Sequence, residues 1–185
     1  DVNCGTGCNT VIWTRGNDIF RITPRENNEV NSCWMPDSHR LNFRYLHTET
    51  RLTDPVVKSR GRHEVADWFE AITRVSEGLK DYHGDEVAFI GSGRMTNEEL
   101  FLLKHLADTL ETDLLTLVPR FAQSDGKLIA ADRNPNTTGA KLIWASNDPY
   151  AKLKAIRKGV AGRRIKALVV FYEDLLAEAD FKASD

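Results

Sequence analysis

Cysteine is scarce and odd in number, with three in 185 residues. That excludes a dense disulfide scaffold and favours a reducing compartment in which thiols do metal or redox chemistry. Long apolar runs are also missing: none approaches the ~20 residues a bilayer-spanning helix needs. The opening Asp1-Val2-Asn3-Cys4 has neither the basic nor the apolar segment of a secretory signal. Membrane contact is therefore expected only through partner subunits. A basic excess is lacking as well, with Lys and Arg together 25 against 27 for Asp and Glu, so neither nucleic acid nor an anionic membrane surface is an expected partner. Internal repeats and low-complexity tracts are absent. What remains, 41% hydrophobic and 28% charged residues, is the composition of a globular chain.

Two textures divide the sequence. Residues 1–62 are polar and irregular, with two short strands, Thr10 to Arg15 and Asp18 to Thr23, around a Gly16-Asn17 turn. Arg25 to His39 reads as a loop anchored by Trp34 and Met35. Leu52 to Val57 reads as an extended linker, because the residue before a proline avoids helix. Residues 63–185 alternate helix and strand. Val65, Trp68, Phe69, Ile72, Val75 and Leu79 form one apolar stripe at helical spacing. A strand over 86–90 leads through Gly91-Ser92-Gly93 to a helix opened by Thr96 and Glu99, a capping-box pair. That helix has Leu100, Leu103, Leu106 and Leu110 on its buried face, beside Ala107. A strand over 114–118 precedes a long polar loop. Asp148-Pro149 then starts another helix, and Ile165 to Phe171 is an apolar strand suited to the centre of a parallel sheet. The expected fold is α/β: a small hairpin-rich region followed by a doubly wound, mainly parallel α/β domain that is incomplete at its end.

Cys4 and Cys8 lie in a C-x3-C pair and Cys33 follows far along the chain. Closely spaced thiolates suit soft metals and iron–sulfur clusters. A 4Fe-4S cluster takes four ligands, and only three cysteines are available for it. Three readings stay open: a cluster fold that has lost its cluster; a cluster on Cys4, Cys8 and Cys33 with an unusual fourth ligand such as Asp1 or a histidine; and a zinc or redox module of Cys4, Cys8, Cys33 and His39, or simply buried thiols.

The run Cys4-Gly5-Thr6-Gly7-Cys8-Asn9-Thr10, the following Val11 to Arg25, then Glu29-Val30-Asn31, Trp34-Met35, Arg40-Leu41 and Arg51-Leu52-Thr53-Asp54-Pro55 occur in an order that resembles the molybdopterin oxidoreductase superfamily. Within it, the chain most resembles the large iron–sulfur subunit of NADH:quinone oxidoreductase (complex I). Gly91 to Glu99, Ala131 to Ala140 and Lys166 to Phe171 extend the likeness along nearly the whole chain. The family pattern is C-x2-C-x3-C with a distant fourth cysteine two residues after the tryptophan. Here Asp1 stands in the first position and Pro36 in the last, while Cys33 lies on the other side of Trp34. The resemblance implies a fragment of that subunit with a 4Fe-4S-type region over 1–62, in which Cys4, Cys8 and Cys33 are the candidate metal ligands. The cluster is expected to be incomplete or missing and no molybdopterin is expected. It implies a structural and electron-transfer role in the soluble arm at the cytoplasmic face of the inner membrane. Partners would be the other subunits of a respiratory NADH dehydrogenase complex, and the isolated chain would have no catalytic residues. A fragment of a molybdenum or tungsten bis-pterin enzyme such as formate dehydrogenase is the alternative.

Other motifs are weaker. Gly91-Ser92-Gly93 invites a dinucleotide, but Thr96 replaces the third glycine, and a tight structural turn is favoured. Arg94 and Arg133 suit an anion or partner as well as a solvated surface. Asp132-Arg133-Asn134-Pro135 reads as an Asx-bonded turn. The five histidines form no metal pair at helical spacing and no nucleophile motif.

Overall fold

The computed structural model describes residues 1–49, 51–145 and 148–182. Two antiparallel hairpins come first. Strands β1 (Thr10–Arg15) and β2 (Asp18–Pro24) pair from Thr10↔Pro24 to Arg15↔Asp18, with a register shift between Trp13 and Thr14. Gly16, at φ +60°, supplies the left-handed turn residue that closes them. A single turn of helix, α1 (Asp37–Arg40), follows Pro36. Strands β3 (Val56–Ser59) and β4 (Arg62–Val65) form the second hairpin around Arg60 and Gly61, both at positive φ. The stretch expected to be a linker is therefore part strand. Gly61 after Arg60 meets the two-residue turn geometry that lets Val56 and Val57 pair.

The loop between β2 and α1 is organised by one buried side chain. Asn31 Oδ1 accepts from Asn9 N at 2.9 Å, and its Nδ2 donates to the carbonyls of Arg25 and Trp34 at 3.2 and 3.0 Å. One amide thus ties the cysteine loop, the end of β2 and the run before α1. Met35 is buried as expected, whereas Trp34 is 63% exposed. The backbone bond from Trp34 N to Asn31 O and the buried asparagine do the anchoring that the indole was expected to do.

Helix α2 (Trp68–Leu79) begins at Asp67, whose carboxylate accepts from Glu70 N. Its apolar stripe forms as the spacing predicts, but Trp68, Phe69, Ile72 and Val75 all face outward. Only Leu79, at its end, packs on the core. Periodicity reports that a helix has an apolar face, not what covers it.

The body is a parallel three-stranded sheet in the order β6-β5-β7, from β5 (Val87–Gly91), β6 (Leu115–Leu117) and β7 (Ala167–Val170). Every residue of β5 is buried, and its side chains alternate between two cores. Val87 and Phe89 pack with Leu100, Leu103 and Ala107 of α3 (Asn97–Thr109) and with Ala140 and Trp144 of α4 (Thr137–Trp144). Ala88 and Ile90 pack with Ile156 of α5 (Pro149–Ala161) and with Leu175 and Ala179 at α6 (Leu175–Glu178). Helices on both faces of a parallel sheet make the doubly wound arrangement that the alternation implies.

Two details depart from the sequence reading. Leu106 is 37% exposed while Leu100, Leu103 and Ala107 are buried, so the buried stripe of α3 is narrower than expected. The polar loop beyond β6 contains α4, held by Trp144 Nε1 donating to Leu100 O at 2.8 Å. Helix α4 has no capping side chain at Asn136 and so carries little sequence signal.

Asn31→Ala leaves the Asn9 amide and the Arg25 and Trp34 carbonyls without their partner. We expect a loss of about 1–3 kcal/mol in chemical denaturation, the usual consequence of stranding a buried polar group. At α3 the capping box is complete: Glu99 N donates to Thr96 Oγ1 and Thr96 N to Glu99 Oε2. Thr96→Ala should cost about 1 kcal/mol. The Thr96 amide, and after it the Tyr172 hydroxyl, hold the Glu99 carboxyl below its ordinary value of 4.5. A carboxyl whose folded value is depressed stabilises above its unfolded value and loses that contribution as pH falls through the folded one. The melting-temperature difference between wild type and Glu99→Gln should accordingly be full at neutral pH and shrink as the pH falls below 4.5.

Candidate metal centre

Cys4 and Cys8 sit in a tight loop before β1. Gly7, at φ +68°, bends the chain between them, and both thiols are buried, at 0% and 1% exposure. The loop is pinned to the body of the protein. Gly5 N donates to Asp132 O at 2.8 Å, Thr6 Oγ1 donates to Leu128 O, and Ala130 N donates back to Thr6 Oγ1, both at 3.0 Å. Asp132 belongs to the excursion beyond β6, whose arms pair at Ala122 N to Ala131 O and Arg133 N to Arg120 O. The cysteine loop therefore rests on a loop from the carboxyl end of the sheet. Burial, and then the neighbouring Cys4, push the Cys8 thiol above its ordinary value.

His39 reaches the same place from α1. Its Nδ1 lies 2.5 Å from Asp1 Oδ2, and both side chains are almost wholly buried. A buried carboxylate needs its lone pairs met. Asp1 Oδ1 accepts from Asn3 N and Asn3 Nδ2 at 3.0 and 2.9 Å, which leaves Oδ2 to the imidazole. Burial first, and then the positive charge of Arg133, hold His39 below its usual value. A neutral ring that donates from Nδ1 to Asp1 keeps a lone pair on its other nitrogen.

Asp1, Cys4 and His39 each offer a ligand atom within 4.8 Å of the other two, the one such group of three among the described residues. Of the three cysteines expected at the site, Cys4 is in this group, Cys8 is buried beside it and Cys33 is exposed. Cys33 precedes Trp34 in the loop ordered by Asn31, and Pro36 beyond it is buried but has no donor to offer. A cube of four irons takes one ligand at each iron. Two buried thiols, and a carboxylate already in contact with an imidazole, do not make that set, so the donors present do not fit a fully ligated 4Fe-4S cluster. Spacing alone could not reveal the Asp1–His39 pair, because the partners are far apart in the chain and each is an ordinary residue there.

The glycine turn after β5 is filled from within. A Cβ on Gly93 would lie 2.4 Å from Asn134 Cβ. Asn134 Nδ2 donates to Val118 O, Asn136 N to Gly93 O, and Asn136 Nδ2 to Met95 O, each at 2.8–2.9 Å. The glycines thus admit the protein's own loop, the tight-turn reading of the motif. Asn134 N donates to Asp132 Oδ1 at 2.9 Å, completing the expected Asx turn. Arg133 bonds Gln123 O at 2.8 Å, and Arg94 is exposed. A buried pair that the sequence left unseen lies close by. Arg120 forks onto both carboxylate oxygens of the fully buried Glu173 and reaches Asn134 Oδ1 at 3.2 Å.

No helix among the described residues is long and apolar enough to cross a membrane. Residues 1–44 match the family model described as NADH-ubiquinone oxidoreductase NDSU1/NuoG-like, 4Fe-4S domain. The chain is 36% identical over 119 residues to NADH-quinone oxidoreductase subunit 3 of Thermus thermophilus, covering 64% of this chain and 15% of that protein. It is 32% identical over 126 residues to the probable oxidoreductase YjgC of Bacillus subtilis and 30% identical over 126 residues to the putative formate dehydrogenase YrhE of the same organism. Each of these matches covers 65% of this chain and 13% of the relative. The chain thus spans well under two thirds of the length of the curated relatives it matches. A loop carrying Cys4 and Cys8, a β1–β2 hairpin and an asparagine-ordered return to α1 make up the segment that is similar to the NuoG-like 4Fe-4S domain, in a chain similar to an NADH-quinone oxidoreductase subunit and to putative formate dehydrogenases.

Proposed function

We propose that this chain is part of the large iron–sulfur subunit of an NADH:quinone oxidoreductase, with a structural and electron-transfer role in the soluble arm and no active site of its own. The observation that carries the reading is the joint match of residues 1–44 to the NuoG-like domain and of the wider chain to the Thermus protein. In this reading residues 1–62 are the cluster-type region and residues 63–185 the α/β body. The cluster of the parent family is missing or incomplete, and Cys4 and Cys8 are the thiols that retain its place. Cys33, being exposed, contributes only if its loop moves. The partners are the other subunits of the complex, at the cytoplasmic face of the membrane. The outward apolar residues of α2, Trp68, Phe69, Ile72 and Val75, make a contiguous surface of the kind that large assemblies cover.

The putative formate dehydrogenase relatives favour a second reading, in which the parent polypeptide is a molybdenum or tungsten bis-pterin oxidoreductase.

Purification of the full polypeptide from its own host through an affinity tag, after mild detergent extraction, separates the two. We expect NADH-dependent reduction of a quinone analogue to co-purify, with no molybdenum. Formate-dependent reduction of a dye, with molybdenum and a pterin in the purified material, would replace the first reading by the second.

A further inference from the structure

Asp1, Cys4 and His39 come from two separate segments and meet as a group of buried side chains with mixed oxygen, sulfur and nitrogen donors. We propose that these three residues bind a single divalent transition-metal ion of zinc type, with water as the fourth ligand, at the place where the parent family carries its cluster. The inference stands apart from the assignment to a respiratory complex.

Geometry is the first argument. Ligands at ~2.0–2.3 Å from one tetrahedral ion stand about 3.3–3.8 Å apart. The donors here all lie within 4.8 Å of one another, and the Asp1 Oδ2–His39 Nδ1 pair, now a hydrogen bond of 2.5 Å, must open by about 1 Å as the ion takes the place of the shared proton. That spacing suits donors sharing one ion, whereas donors to four separate irons must be spread around a cube.

The donor set is the second argument. Thiolate, imidazole and carboxylate are the three side-chain types that zinc accepts, and three protein ligands with one open position is a common zinc arrangement. Hard cations such as magnesium and calcium prefer oxygen donors throughout.

Support around the ligands is the third argument. Asp1 is oriented by two bonds from Asn3, and Asn3 is held by Asn42 Nδ2 at 2.6 Å. His39 is fixed on α1 behind the buried Pro36. The Cys4 loop is locked by Gly5 N to Asp132 O. Outer-shell bonds of this kind aim ligands at a metal. A nearly fully buried carboxylate beside a thiol and an imidazole also gains a positive partner when an ion enters. On binding, the Cys4 thiol gives up its proton to solvent and becomes the thiolate ligand.

The test uses the full polypeptide, purified under reducing conditions, stripped with a chelator and reloaded with zinc ion alone or cobalt ion alone. One zinc per chain is expected. The cobalt form should show the intense visible bands of a tetrahedral site together with a thiolate-to-cobalt band in the near ultraviolet. Asp1→Asn and His39→Gln should each weaken zinc binding at least ~10-fold, since even outer-shell changes cost that much. Cys4→Ser should remove the thiolate band. Cys33→Ser should leave stoichiometry and affinity unchanged. Far-ultraviolet circular dichroism of each variant separates lost binding from lost folding. If a variant fails to fold, the cobalt spectrum of the wild-type protein still decides whether sulfur is a ligand in a tetrahedral site. The proposal is overturned if no ion binds to the folded wild-type protein, if Cys33→Ser abolishes binding, or if His39→Gln binds zinc as tightly as wild type. It is likewise overturned if reconstitution with iron and sulfide gives a stable cluster of about four irons per chain. None of these results bears on whether the polypeptide co-purifies with NADH-oxidising partners.

Discussion

The backbone and hydroxyl bonds from Gly5 and Thr6 to the loop around Asp132 are the contacts on which the candidate centre depends. They seat a short cysteine loop on a segment that is itself held at the carboxyl end of the sheet by Arg120, Asn134 and Glu173. Without them Cys4 and Cys8 would sit on a hairpin with little core of its own, since β1 and most of β2 are exposed or half-exposed. A two-stranded ribbon is marginal by itself in water. The small region is ordered because it leans on the larger one.

The larger one is organised by β5. Its complete burial divides the interior in two: odd positions face α3 and α4, and even positions face α5 and α6. The chain leaves β5 for β6 on one side and crosses back from β6 to β7 on the other, an order reversal whose carboxyl end is where proteins of this architecture commonly hold ligands. Here Asn134, Asn136 and the Gly91–Gly93 turn fill it, through contacts too close for any side chain at Gly93. The same loop presents Asp132 to the cysteine loop. Packing of the body and placement of the metal candidate are therefore one structural event.

The donor set at the cysteine loop diverges from that of a cluster in a particular direction. Asp1 and Pro36 stand where the pattern that the sequence resembles has cysteines, and the His39 imidazole of α1 lies against the Asp1 carboxylate. The result is a mixed-donor group in which the oxygen and nitrogen are in contact. Asn31, Asn3 and the Asp132 contact hold the segments of the region together by hydrogen bonds.

Much of the architecture was legible in the sequence, because local rules govern it. The β1–β2 hairpin followed from a glycine turn, the start of α3 from the Thr96–Glu99 capping box, the start of α5 from Asp148-Pro149, and the parallel sheet from apolar runs alternating with helices. The family likeness of the first residues was legible too, through the order of short motifs. Tertiary structure decided what depends on partners distant in the chain. The α2 stripe turned outward although its periodicity is strong, since periodicity does not say what lies opposite. Helix α4 formed in a polar stretch because Trp144 found the Leu100 carbonyl. Asp1 met His39, and Cys33 was left at the surface, because the return to α1 is set by the buried Asn31 amide. The sequence alone determined which residues could bind a metal. Only the folded chain determined which of them share one pocket, since coordination depends on distances in space and the backbone between the ligands carries no record of them.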